Sequence, residues 1–182
     1  MREINIPITD ETIDSLSMGD MVLLSGKIYT ARDAAHKNLV DLIEAGEKPP
    51  FDFAAQVVFY AGPAPAKPSR PIGSVGPTTA GRMDLYSPLL ISQGLKVMIG
   101  KGLRSREVIE AIMRYRGIYF AATGGVAALM AKCVRSSRLI AFEELGTEAV
   151  RELLVEKLPL VVAIDSRGNN LYESGRLKYQ RF

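Results

Sequence analysis

Apolar and polar positions follow two rhythms along this chain, and the switches between them mark its elements. An extended start, Arg2–Ile8, leads through a polar link to the apolar run Met21–Thr30, which reads as a strand. A helical pattern begins at Ala31. Thr30 followed three residues later by Asp33 is a relative of the capping box, with Asp replacing Glu, so the helix is expected to start at Thr30. Residues 48–77 hold most of the ten prolines around a short strand at Gln56–Tyr60. The run Gly62–Pro68 reads as a rigid extended segment laid over the surface, or else as a linker.

From Gly76 onward strands and helices alternate. The pattern predicts helices over Met83–Gln93, Ser105–Tyr115, Gly125–Val134 and Thr147–Glu156. It places strands at Leu95–Gly100, Ile118–Ala121, Leu139–Phe142 and Leu158–Ile164. Ser105 and Thr147 each stand where they would cap the following helix. Such alternation predicts an α/β fold of right-handed βαβ units.

Composition narrows the field. A chain of 182 residues, 47% apolar and 24% charged, suits one domain over 1–182 with the proline-rich stretch inside it. No run approaches the ~20 apolar residues of a membrane span, and the start lacks a signal-peptide signature, so a cytoplasmic location is expected. The net charge of +3 and the lack of basic runs interleaved with aromatics argue against nucleic acid. One cysteine and one histidine exclude a disulfide within the chain and any metal site built on several of either residue.

Four segments bear candidate chemistry. Gly76-Pro-Thr-Thr-Ala-Gly-Arg-Met-Asp opens a predicted helix, where glycines, the Thr78 and Thr79 hydroxyls, free N–H groups and the Arg82 fork would suit a carboxylate. The plainer reading is a capped loop with a surface arginine. Arg32 lies in the first turn of its predicted helix, against the helix dipole, which is easier to understand if an anion binds beside it. Otherwise Arg32 is solvated or paired with Asp33, and His36 is a satisfied, partly buried imidazole. Lys101, between Gly100 and Gly102 just past a strand end, points into a cleft or is a solvated loop lysine. Val126, Leu129, Met130, Cys133 and Val134 share one face at helical spacing, which makes Cys133 a core thiol. Asp165–Asn170 reads as a turn between strands without chemistry.

Taken in order, the stretches at 25–37, 76–84, 98–102 and 122–134, with the tail from Phe142 to Asn169, resemble the C-terminal, β-type region of class I iron–sulfur fumarate hydratases and of tartrate dehydratases. The resemblance implies a swivelling β/β/α domain, with mixed sheets and flanking helices, that closes on a larger α-type partner. It implies that three cysteines of that partner hold a [4Fe–4S] cluster, and that this chain holds no metal. It matches Arg32, Arg82 and Lys101 to substrate-binding cations and Thr78 to the proton-transfer step, with Thr79 beside it. Lys101 is also expected to take part in catalysis.

The expectation is therefore a β subunit that helps interconvert fumarate and (S)-malate in an αβ or (αβ)2 assembly. A dianion that gains charge during hydration needs fixed cations in a cleft that excludes water. A tartrate dehydratase β subunit and a non-catalytic anion-binding module are the alternatives.

Overall fold

The computed structural model describes residues 1–180. The chain runs through strand β1 (Arg2–Asn5), helix α1 (Asp10–Asp14), β2 (Met21–Thr30), α2 (Asp33–Glu44) and β3 (Val57–Phe59). A 3-10 turn at Ala80–Met83 precedes α3 (Ser87–Ser92), β4 (Val97–Gly100), α4 (Arg106–Tyr115), β5 (Ile118–Ala121) and α5 (Ala127–Lys132). Then come β6 (Val134–Ala141), a 3-10 stretch at Glu143–Glu148, β7 (Val150–Ile164) and α6 (Leu171–Tyr179).

All seven strands form one mixed sheet, so the expected α/β architecture of mixed strands with flanking helices is what the chain adopts. Strands β2, β3, β4 and β5 run parallel, neighbour to neighbour, with a helix in each connection. Thr30, Phe59, Ile99 and Phe120 align in one row near their C-terminal ends. Strand β7 runs antiparallel to both β5 and β2, which closes β2, β3, β4, β5 and β7 into a ring.

Side chains therefore separate by parity. Val57, Phe59, Val97, Ile99, Ile118 and Phe120 join one core with Ile28, Leu153 and Leu160, where α1 and α5 contribute Ile13 and Met130. Val58, Tyr60, Met98 and Tyr119 face the other core, beneath Leu39 of α2, Leu90 of α3 and Ile112 of α4. Burial of both faces explains why β3, β4 and β5 read as unbroken apolar runs.

Several expectations are corrected. Residues 147–156 form no helix: they belong to the 3-10 stretch and to β7, a 15-residue strand that also absorbs 158–164. Their Glu, Ala and Leu content favours helix, but β2 and β6 pair with β7 on both edges, and sheet pairing overrides local propensity. The strand expected at 139–142 is the end of the longer β6. The helix expected at 83–93 is a 3-10 turn followed by the short α3, and α5 stops at Lys132. Thr147 caps nothing helical, whereas the Ser105 hydroxyl accepts from the Val108 N–H as expected. The turn at Asp165 leads into α6 rather than to another strand, and Asn170 caps that helix by accepting from the Tyr172 N–H.

Candidate functional site

Site geometry begins at the aligned ends of the parallel strands, where ligands collect in α/β folds. Helix α2 starts later than expected, with its N-cap at Arg32 rather than at Thr30. Thr30 is the last residue of β2, its hydroxyl accepting from the Arg151 N–H, and the extended N-cap is Arg32, which offers no side-chain cap. The cap comes from elsewhere: a Glu148 oxygen accepts from the Ala34 N–H at 3.1 Å, while its other oxygen lies 3.3 Å from Arg32 Nη2. Glu148 thus supplies one anion beside Arg32 from within the chain.

Asp33 links this arginine to the second one. Arg82 Nε donates to Asp33 Oδ1 at 2.7 Å, and Asp33 Oδ2 lies 3.8 Å from Arg32 Nε. Both Arg32 Nε and Asp33 Oδ2 are buried without a hydrogen-bond partner. Arg82 sits in the 3-10 turn with its side chain 51% exposed, and its terminal amino groups have no partner among the described residues. Gly62 makes room for Arg32, because a Cβ there would stand 2.8 Å from Nη1.

Thr78 and Thr79 approach from the neighbouring loop. The Thr78 N–H donates to the Tyr60 carbonyl at 2.6 Å, the Lys101 N–H donates to the Thr78 carbonyl at 3.2 Å, and the Ala80 N–H returns to the Lys101 carbonyl at 2.8 Å. Residues 78–80 are therefore a strand-like wedge between the ends of β3 and β4, with Thr79 bridged to Lys101. Main-chain partners therefore occupy the N–H groups of Thr78 and Ala80 in the expected anion-binding turn.

Lys101 is exposed and has no acidic partner within ion-pair distance among the described residues. Its stem passes Gly124 of the turn after β5, about 4.0 Å from where a Cβ would be. The loop that carries it is pinned on both sides: Tyr119 donates its hydroxyl to the Gly102 carbonyl, and the Gly102 N–H donates to the Tyr172 hydroxyl.

Below the cations lies a polar layer that sequence reasoning missed. The Arg104 side chain is wholly buried, pairing with Asp84 at 2.6 Å, donating to Ser87 Oγ at 2.8 Å, and stacking near Tyr60 and Tyr119. His36 is fully buried rather than partly. Its Nδ1 donates to the Arg32 carbonyl at 2.9 Å, and Nε2 has no partner, so the imidazole is only half satisfied. Burial, helped by the nearby Arg104 charge, pushes its pKa down to about 4, against the pull of the Arg32 carbonyl and Asp33.

The remaining expectations sort simply. Cys133 packs against the first core but stays half-buried, with Sγ against the Leu129 and Lys157 carbonyls, and burial raises its thiol pKa. Leu129, expected on the buried face, is exposed beside an apolar groove of about 340 Å3. Asp165 is a folding knot: burial pushes its carboxyl up, but hydrogen bonds from Asn169 and from the N–H groups of Met18, Arg167 and Asn169 prevail and hold it low. Among the described residues no three His, Cys, Asp or Glu side chains gather as a metal-ligand set.

Arg32, Arg82, Thr78, Thr79 and Lys101 thus gather at the C-terminal edge of the parallel strands of a mixed α/β sheet. The chain belongs to the fumarase C-terminus family, which it matches over residues 1–175. It is 40% identical, over 91% of its length and 88% of the other chain, to a Methanocaldococcus jannaschii protein provisionally named L(+)-tartrate dehydratase subunit beta. It is 40% identical over 82% of its length to the anaerobic class I fumarate hydratase of Escherichia coli, and 37% over 89% to fumarate hydratase 2 of Leishmania major. It spans only 28% and 29% of those two enzymes. The relatives are thus named either as hydratases much longer than this chain or as one separate dehydratase subunit.

Proposed function

We propose that this chain is the β subunit of a two-chain [4Fe–4S] hydro-lyase that interconverts fumarate and (S)-malate, active only with an α-type partner. The observation that carries this reading is the meeting of Arg32 and Arg82, fifty positions apart in sequence, on the single carboxylate of Asp33. Arg82 offers its free amino edge to a carboxylate, and Lys101, bridged through its backbone to Thr79, adds a further cation. Hydration of a dicarboxylate builds negative charge on one carboxylate, and fixed cations aimed at that charge lower the barrier.

Each of this chain's residues has a definite task in that reading. Arg32 and Arg82 bind and orient the substrate carboxylates. Lys101 stabilises the growing charge. Thr78 holds or relays a proton at its hydroxyl, acting through the neighbouring cation or a group on the partner, because a threonine alone is too weak a base. The cluster, when present, supplies a Lewis acid at the substrate hydroxyl. This chain's one cysteine lies under α5 against main-chain carbonyls, and its residues do not suit a cluster site, so the ligands are assigned to the partner. A partner also suits the exposure of Arg82, Thr79 and Lys101, which alone cannot exclude water, and of the apolar neighbours Leu85 and Leu103.

A second reading, the β subunit of an L-tartrate dehydratase in the same kind of assembly, is favoured by the relative of matching length that carries that name. Anaerobic reconstitution with an α-type chain bearing three cluster cysteines, assayed on fumarate, malate and L-tartrate, decides between them. Turnover of neither substrate pair, with tight binding of malate by this chain alone, would establish a non-catalytic binding module instead.

A further inference from the structure

Two acids surround the arginines, and neither has a task in the chemistry just described. Asp33 receives Arg82 Nε at 2.7 Å and faces Arg32 Nε at 3.8 Å. Glu148 arrives from the 3-10 stretch before β7, a remote part of the chain, and divides its oxygens between Arg32 Nη2 and the N–H of Ala34. Such pairs add little to stability where they are part-exposed. This set is also poorly optimised for stability, since Asp33 Oδ2 and Arg32 Nε are each buried without a hydrogen bond. What the arrangement does well is restrict motion. Arg82 is a long side chain on a short exposed turn, and Asp33 fixes it at Nε while leaving its terminal amino edge open. Glu148 anchors the Arg32 guanidinium and the first turn of α2 as one unit.

We propose that Asp33 and Glu148 are positioning residues, an acidic clamp that sets both guanidiniums for one dicarboxylate. The proposal rests on the dicarboxylate reading of the site and goes beyond it, assigning roles to side chains that touch the arginines and not the substrate. Each acid lowers the local positive charge, which by itself weakens attraction for a dianion. The clamp therefore acts by orientation, and its loss acts in the opposite direction from simple charge removal.

The test uses the full chain with its α-type partner and the variants Asp33→Asn and Glu148→Gln. Each variant keeps an oxygen able to accept the same N–H, so folding is preserved and the melting temperature moves by no more than a few degrees. The expected result is a fall in kcat/KM of about 10- to 100-fold, the scale of losses from misplaced binding groups. Asp33→Asn should add little in an Arg82→Ala background, and Glu148→Gln little in an Arg32→Ala background. Unchanged kinetics, a lower KM from relieved charge competition, or full additivity with the arginine variants would each overturn the clamp. A readout independent of turnover is the Arg82 Nε–H resonance by NMR, expected to be protected from exchange and to lose that protection in Asp33→Asn. An unprotected resonance in the native protein also overturns it. Should the native pair turn over no four-carbon dicarboxylate, the proposed function falls, and the resonance still decides whether the clamp exists.

Discussion

The single imidazole of the chain is sealed beneath the site, its Nδ1 proton committed to the Arg32 carbonyl. Burial holds its folded pKa at about 4, below the 6.5 of a free histidine. A depressed pKa means that the unfolded chain takes up the proton first. The neutral-histidine contribution is therefore complete above pH 6.5 and is lost as pH falls toward 4, to a total of about 3 kcal/mol. Stability measured by denaturant titration should decline across that window. His36→Asn, which retains a donor for the Arg32 carbonyl, should flatten the decline, and an unchanged slope would contradict the assignment. At Arg82 the expected effect falls on chemistry. Arg82→Ala should cost on the order of 2–4 kcal/mol of transition-state stabilisation in the reconstituted pair while folding is preserved. Arg82→Lys should recover little, because an ammonium has no planar fork to share between Asp33 and a substrate carboxylate.

Among the elements, those whose signals are local were legible. Strand β2, the buried β4 and β5, and α4 with its Ser105 cap lie within a residue or two of their expected places. Strand β7 was not legible. Its first half carries helix-favouring residues, its apolar alternation slips near Lys157, whose φ is +52°, and the pairing that decides the matter comes from β2. The Arg104–Asp84 pair joins the segment before α3 to the entrance of α4 for a similar reason: no spacing rule reports a partner twenty positions away. Removing the cation leaves Asp84 with an uncompensated charge at a site only 12% exposed. Arg104→Met should therefore destabilise the chain by about 3–5 kcal/mol in urea unfolding.

At the scale of the whole molecule, the candidate residues were legible in the sequence and the wiring between them was not. Arg32, Thr78, Thr79, Arg82 and Lys101 stood out as glycine-flanked or misplaced polar residues in loops. Glu148 gave no signal, because its partners lie on α2, more than a hundred residues earlier. Lys101 and Thr79 of the candidate site are open to solvent. Calorimetric titration of malate into the isolated chain should accordingly show weak binding or none. Addition of the α-type partner should bring binding and turnover together, and tight binding by the isolated chain would remove the need for a second polypeptide.

The ring formed by β2, β3, β4, β5 and β7 also constrains how the chain is made. Residues 21–30 find their antiparallel neighbour only at 151–161, near the other end of the described structure. During synthesis the edge of β2 that faces β7 must wait, unpaired, until residues 151–161 have left the ribosome. Contacts this distant in sequence slow folding and leave a sticky intermediate exposed. Strand β7 is thus the one that locks the first long strand, and a nascent chain halted before residue 150 should remain a client of chaperones.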